Sequence, residues 1–158
     1  MDTHIKYADI PWSQIDKYCD KIAEAIVKSK VFPDMIIAVG RGGMIPARIL
    51  SDRLGVDNVQ LFSIKLYKGI AQRNNKPTIG NFPVDVQDKN LILIDDILDS
   101  GTTIDAVITY MQSKRPKSIK TATLLCRKSN KRKSTFFADE CDDGVWIIFP
   151  WESNETPD

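Results

Sequence analysis

The chain has 158 residues, 42% hydrophobic and 27% charged, a composition typical of one compact globular domain. Its 22 Lys and Arg residues nearly balance 21 Asp and Glu residues, so the net charge is +1 and no broad basic surface for nucleic acid is expected. No stretch approaches the roughly 20 apolar residues that span a bilayer, and the first ten residues lack the apolar core of a signal peptide. Three widely spaced cysteines, at positions 19, 126 and 141, indicate free thiols in a reducing compartment. We therefore expect a cytoplasmic protein with a single domain over 1–158 that binds neither nucleic acid nor membranes.

The first predicted elements are a helix, a buried strand and a second helix. Ser13 followed by Asp16 predicts a helix start with Ser13 as its cap. The run 34–39 is apolar and typical of a strand buried on both faces. Pro46 in the first turn and Gly55 at the end predict the second helix. The core face of the first helix is predicted from apolar residues at helical spacing, namely Ile15, Tyr18, Cys19, Ile22 and Ile26.

The remaining apolar segments continue the alternation of strands and helices. Strands are predicted at 59–64, 91–94, 119–126 and 145–149, and a helix at 103–111. This alternation predicts an α/β fold with a mostly parallel sheet flanked by helices. In such sheets ligands bind at the carboxyl ends of the strands, which is where functional residues are expected.

The segment 65–82 differs from its surroundings. It is rich in Lys, Asn, Gln and Gly and has little periodicity, which predicts a long mobile loop. Loops of this length are uncommon inside compact domains and are often functional.

The strongest functional signal is LILIDDILDSGTT, over residues 91–103. An apolar strand delivers Asp95 and Asp96 to its C-terminal end, and Asp99 and Gly101 then lead into a helix. Small residues at a helix start expose backbone N–H groups that bind phosphate. A carboxylate pair beside such a site suits either magnesium or two vicinal ribose hydroxyls. Any one of these residues alone is typical of a strand end or a helix cap, but together they indicate a phosphate-binding site.

Other phosphate-binding and catalytic motifs do not occur. The chain has no GxxxxGK[ST], so it is not a P-loop protein, and Ile45 stands where a GxGxxG motif starting at Gly40 needs its third glycine. No GxSxG or HExxH is found and His4 is the only histidine, which argues against a zinc site and a serine–histidine triad.

The 91–103 segment resembles the signature with which type I phosphoribosyltransferases bind 5-phosphoribosyl 1-pyrophosphate (PRPP). IIAVGRGGMIPARIL resembles their pyrophosphate loop, and KLYKGIAQRNNK resembles the hood that closes over the pyrophosphate. The resemblance covers nearly the whole chain and is greatest to bacterial and archaeal xanthine-guanine and hypoxanthine-guanine enzymes. It implies transfer of the phosphoribosyl group to a purine, Mg²⁺ as cofactor, and a homodimer or homotetramer.

The resemblance also implies a set of PRPP contacts. We expect Asp96 to contact the metal and Asp95 the ribose hydroxyls, although this division of roles stays open. A cis peptide is expected between Arg41 and Gly42. The expected PRPP-binding residues are Arg41, Gly42, Arg73, Asp95, Asp96, Asp99, Ser100, Gly101, Thr102 and Thr103.

A purine pocket is implied by TATLLCRKSNKR and VWIIFPWE. Trp146 matches the residue that stacks on the base, Ile147 offers its backbone to the ring edge, and Glu152 is a candidate for reading the 2-position. The cation for the exocyclic oxygen at C6 is a Lys in the related enzymes and Arg127 here, with Lys128 as the alternative. Asp99 is implied near purine N7 as the catalytic proton acceptor. Trp151 is expected in the core or at an interface.

Three alternative functions fit the sequence less well. A regulator that only senses PRPP would carry a nucleic-acid-binding element, for which this chain has neither room nor charge. A pyrimidine phosphoribosyltransferase is disfavoured because VWIIFPWE resembles the purine branch. A receiver domain needs a further Asp at the end of another core strand, whereas Asp34 lies at the start of its strand.

Overall fold

The structure is a computed structural model that describes residues 6–66 and 77–152. Within these ranges the chain forms twelve helices and strands, which occur in the following order: β1 Lys6–Asp9, α1 Trp12–Lys28, β2 Met35–Val39, α2 Met44–Leu54, β3 Val59–Phe62, β4 Ile64–Leu66, β5 Pro77–Ile79, β6 Asn90–Leu98, α3 Thr102–Gln112, β7 Ser118–Arg127, β8 Phe136–Cys141 and β9 Val145–Ile148.

A five-stranded parallel sheet forms the centre, in the order β3-β2-β6-β7-β8. The predicted α/β class is confirmed. All five residues of β2 are buried, as expected for a strand covered on both faces. Ile94 of β6 pairs with Ala38 of β2 and Ala122 of β7, so β6 lies in the middle of the sheet. The residues that follow β6 therefore emerge at the centre of its carboxyl edge.

Alternate residues of the strands supply two hydrophobic cores. On one face, Ile36 and Ile92 lie in a cluster with residues of α1 and α2. On the other face, Ile37 and Leu93 lie in a cluster with Val107 of α3. These two cores fix the helices on opposite sides of the sheet, so the loops at its carboxyl edge start from rigid elements.

The predicted core face of α1 is confirmed, since its five apolar residues are all buried. The predicted cap is wrong, because the helix begins at Trp12 and Pro11 is its N-cap. The carbonyl of Pro11 accepts the N–H groups of Gln14 and Ile15, which leaves Ser13 inside the first turn. At the end of α2, Gly55 adopts a left-handed φ of 65°, as its predicted role requires.

Two small ribbons lie outside the central sheet. Strands β1 and β9 pair in parallel, which places Tyr7 opposite Trp146. Strands β4 and β5 pair antiparallel, so residues 65–66 and 77–79 of the segment predicted as a loop over 65–82 lie in strands. Sequence periodicity missed them because such short strands are defined by their pairing partner. Residues 67–76, including Arg73, lie outside the described residues.

None of the helices in the described ranges combines the length and apolarity needed to cross a bilayer.

Candidate functional site

The acid pair lies within β6, which continues to Leu98 and is therefore longer than the predicted strand 91–94. Asp96 is 8% exposed. Its backbone N–H donates to Oδ1 of Asp95 over 2.9 Å, and the N–H of Ile97 donates to Oδ1 of Asp96 over 2.7 Å. The two adjacent carboxyl groups are thus fixed by backbone donors, and both line a cleft at the carboxyl edge of the sheet.

Burial and neighbouring negative charges act against the ionised forms of these acids. Burial raises the pKa of Asp95 well above its usual range, and the charge of Asp96 adds to this. Burial raises the pKa of Asp96 to about 6, with a further contribution from the charge of Glu152. A site that concentrates carboxylates in this way favours a bound cation.

The loop between β6 and α3 forms a small concave surface. Gly101 caps α3 with a φ of 86°, a left-handed conformation that favours glycine. The Oγ atoms of Ser100 and Thr102 lie 3.0 Å apart, and the N–H of Thr102 donates to Ser100 Oγ over 3.3 Å. A hollow of about 60 Å³ is lined here by residues that include Asp95, Asp99 and those at 100, 101 and 103. The structure thus places these hydroxyls beside the start of a helix, a position at which backbone N–H groups commonly bind anions.

The loop between β2 and α2 closes the other side of the acid pair. It contributes Gly40, Arg41 and Gly42 to the cleft of about 430 Å³ that also contains Asp95 and Asp96. A Cβ atom on Gly42 would lie less than 3.0 Å from three carboxyl atoms of Asp96. Only glycine therefore allows this backbone to approach the acid so closely.

The expected cis peptide between Arg41 and Gly42 is wrong, since the structure contains none in the ranges it describes. The chain reverses instead through Gly40, whose φ is 56°.

A second pocket, of about 190 Å³, adjoins the acid pair. Trp146, which is 40% exposed, lines it together with Asp99 and Arg127. Lys128, the alternative cation, instead donates from Nζ to Oδ1 of Asp142 over 2.5 Å. Of the two basic residues, Arg127 is thus the one that lines the pocket. The complete lining is Asp96, Ile97, Asp99, Arg127, Trp146, Ile147, Phe149 and Glu152.

Glu152 lies where the cleft and the pocket meet, since it lines both. Its Oε2 accepts the N–H of Phe149 over 3.2 Å, and its own N–H donates to the Phe149 carbonyl over 2.9 Å. Trp151 stacks on Phe149 with the ring planes 2° apart and also lines the cleft. Trp151 packs against the hydrophobic core, as expected, and it contributes to the cleft wall in addition.

Every expected site residue in the described ranges lines the cleft, the hollow or the pocket at this edge of the sheet, apart from Thr102, whose hydroxyl contacts Ser100 beside them. Sequence reasoning missed Gly43 and Asn130. A Cβ atom on Gly43 would collide with the carbonyl oxygen of Ile94, a requirement that the GRGG motif could have suggested. Asn130 donates to the Asp99 carbonyl over 2.9 Å, and nothing in the sequence signals this contact.

An acid pair, a small-residue loop at a helix start and an adjoining aromatic pocket at one edge of a parallel sheet define an α/β protein with a nucleotide-type ligand site. Residues 11–156 match the phosphoribosyl transferase domain family. The chain therefore belongs to the phosphoribosyltransferase family, and its relatives place it in the type I purine branch.

Similarity to individual proteins extends over most of the chain. A purine phosphoribosyltransferase structure from Pyrococcus horikoshii matches with a TM-score of 0.83 and 31% identity, covering 97% of this chain and 98% of that one. The xanthine-guanine phosphoribosyltransferase of Gluconobacter oxydans is 27% identical over 150 residues, which are 94% of this chain and 86% of the relative. The hypoxanthine-guanine phosphoribosyltransferase of Saccharomyces cerevisiae is 25% identical, covering 92% of this chain and 86% of the relative.

Proposed function

We propose that the protein transfers the 5-phosphoribosyl group of PRPP to a 6-oxopurine, which yields a nucleoside monophosphate and pyrophosphate. The observation that carries this proposal is the junction of the two cavities, since Asp96 and Glu152 line both the cleft and the pocket with Trp146. A sugar in the cleft and a flat base in the pocket would meet at this junction. The names of the relatives, xanthine-guanine and hypoxanthine-guanine enzymes, support guanine, xanthine or hypoxanthine as the base.

PRPP would occupy the cleft and the hollow beside it. The 5′-phosphate suits the N–H groups and hydroxyls of 100–103, and the ribose hydroxyls suit Asp95. Arg41 and the backbone of Gly42 face the same cleft and would hold the pyrophosphate. Arg73 is proposed to cover the pyrophosphate from the hood loop, on the strength of the resemblance alone.

Mg²⁺ fits the donors of this site. The described residues contain no group of three or more His, Cys, Asp or Glu side chains that could hold a metal. Magnesium commonly binds through one or two carboxylates together with substrate oxygens and water, so Asp96 and Asp95 suffice. The ion would neutralise charge on the departing pyrophosphate.

The base would stack on Trp146, with its edge against the backbone of Ile147 and its 2-position towards Glu152. Arg127 is the cation proposed for the oxygen at C6, since it lines the pocket.

As the bond between C1 and pyrophosphate breaks, a base nitrogen attacks C1 and the base becomes more acidic. Asp99 accepts the proton released at N7.

We also propose that the enzyme acts in the cytoplasm as a homodimer or homotetramer. The three cysteines are free and buried, which suits a reducing compartment. The oligomeric state follows from the resemblance.

Steady-state rates with PRPP, Mg²⁺ and guanine, xanthine, hypoxanthine, adenine or uracil test this proposal. We expect nucleoside monophosphate from at least one 6-oxopurine and no product from uracil. PRPP binding measured by calorimetry, without turnover of any base, would indicate a sensing protein instead. Absence of both binding and turnover would refute the proposal.

A further inference from the structure

Arg127 ends β7 and donates hydrogen bonds to two separate parts of the site. Its Nε donates to Oδ1 of Asp99 over 2.9 Å. Its Nη1 donates to the carbonyl oxygens of Val145 over 2.7 Å and of Asp142 over 2.8 Å. One guanidinium therefore joins the loop that follows β6 to the start of the strand that carries Trp146.

Burial differs sharply between the two members of this ion pair. The side chain of Arg127 is 15% exposed, whereas that of Asp99 is 73% exposed. A carboxylate with so little surrounding protein has several accessible rotamers unless a partner selects one. The conformation of Asp99 thus depends on a hydrogen bond rather than on packing.

The loop after β7 also restrains the backbone around this pair. Asn130 donates from Nδ2 to the carbonyl of Asp99 over 2.9 Å. Lys133 donates from Nζ to the carbonyl of Arg127 over 2.5 Å and pairs with Glu140 over 2.8 Å. Arg127 is consequently a fixed support, and Asp99 is the movable group that it holds.

We infer that Arg127 is a positioning residue that sets Asp99 and the start of β9 relative to each other. The inference deepens the proposed function and rests on it, because Asp99 is the proton acceptor there. A planar guanidinium can bind a carboxylate and two carbonyl groups at once, whereas a lysine ammonium is a single point charge on a flexible stem. Lysine at position 127 would keep the charge near the purine oxygen but would not hold both elements.

A double-mutant cycle separates this role from direct contact with the base. The four proteins are wild type, Arg127→Lys, Asp99→Asn and the double variant, assayed with PRPP and the preferred purine each varied at a saturating concentration of the other. We expect Arg127→Lys to lower kcat about 10- to 100-fold, because misplacement of a catalytic group by 1 Å can have that effect. The KM for PRPP should change less than about twofold, since the cleft is intact. In the Asp99→Asn background, Arg127→Lys should lower kcat by less than about threefold.

Equal losses from Arg127→Lys in both backgrounds would refute the inference, because Arg127 would then act on the purine independently of Asp99. Arg48→Lys is the matched control, since Arg48 is a surface residue paired with Asp52 at 3.8 Å on α2. It should leave kcat and both KM values at the wild-type level.

Crystal structures of wild type and Arg127→Lys give a readout that does not require activity. We expect one position for the Asp99 carboxylate in the wild type and a different or multiple position in the variant. An unchanged Asp99 and an unchanged start of β9 would refute the inference. A wild type that transfers no phosphoribosyl group would refute the proposed function, and the structures would still decide whether Arg127 holds Asp99.

Discussion

Replacing Gly42 by alanine tests the contact between the β2–α2 loop and the acid pair. The added Cβ would lie less than 3.0 Å from the carboxyl atoms of Asp96. The loop cannot simply withdraw, because the neighbouring Gly43 lies against the carbonyl of Ile94 and donates its N–H to the carbonyl of Val39 over 3.1 Å. The carboxylate of Asp96 must therefore move.

Two measurable losses follow from this displacement. Overpacking a buried site typically costs about 1–3 kcal/mol of folding free energy. Loss of one hydrogen bond or contact made by a charged group costs a further 1.5–3 kcal/mol or so in ligand binding. The second figure corresponds to an increase in the Kd for PRPP of about 10- to 150-fold.

Gly55→Ala is the control for stability alone. Gly55 has a φ of 65°, and a Cβ atom added there would meet nothing within 4 Å. Alanine at this position therefore introduces backbone strain of about 1–2 kcal/mol without a collision. Urea unfolding should show a similar loss of stability in both variants. Calorimetry with PRPP and Mg²⁺ should show weaker binding only for Gly42→Ala. Equal PRPP affinity in Gly42→Ala and Gly55→Ala would refute the placement of PRPP beside Asp96.

Three further predictions concern single side chains of the site. Asp99→Asn should lower kcat about 100- to 10,000-fold while sparing PRPP binding, because it removes the proton acceptor; near-normal turnover would exclude Asp99 from proton transfer. Trp146→Ala should raise the KM for the purine about 5- to 150-fold, as expected for loss of one stacking contact. Trp146→Phe should recover most of this affinity, and an unchanged KM in Trp146→Ala would contradict stacking. Asp96→Asn should stabilise the fold at neutral pH, because the pKa of Asp96 is raised by burial to about 6.

The sign of the Asp96 effect follows from proton linkage. Well below the ordinary pKa of 3.8 the carboxyl is protonated in the folded and unfolded states alike, so it does not oppose folding. As the pH rises from there to about 6, the unfolded state has released this proton while the folded state retains it, and stability is lost. Since one pKa unit corresponds to about 1.4 kcal/mol, the gain from Asp96→Asn has an upper limit of about 3 kcal/mol. Unfolding curves between about pH 4.5 and 8 measure it, and a variant less stable than wild type at the upper end would contradict the argument.

Three of the strands that sequence patterns predicted have long apolar runs. Strands β2, β6 and β7 were recognisable because their buried residues are consecutive. Strand β8 was missed, because FFADEC mixes buried and exposed positions at the edge of the sheet. Strand β1 was missed for a similar reason, since three of its four residues are exposed. Its pairing with β9 is a tertiary property that local propensity does not encode.

The residues of the site likewise divide into those that local sequence predicts and those that only the fold brings together. The acid pair and the small residues after it are contiguous in sequence, so their common location was predictable. The Asp99–Arg127 ion pair joins the ends of neighbouring strands, and only the order of strands in the sheet brings the two residues together. The cis peptide expected after Arg41 was inferred from the family resemblance alone. The structure has no cis peptide there, and the neighbouring Gly40 adopts a left-handed φ of 56°.

The pairing of β1 with β9 has a consequence for biosynthesis. Residues 6–9 cannot form their strand pairs until residues 145–148 have been synthesised. The contact between β1 and β9 therefore spans almost the entire described length of the polypeptide. Such distant contacts carry a large entropic cost and tend to form late. While a ribosome has released the chain only as far as β8, the acid pair and the loop after it are already synthesised, but Trp146, Trp151 and Glu152 are not. Both cavities are therefore completed only by the last segment of the described chain, since Trp151 and Glu152 line the cleft and Trp146 and Glu152 line the pocket.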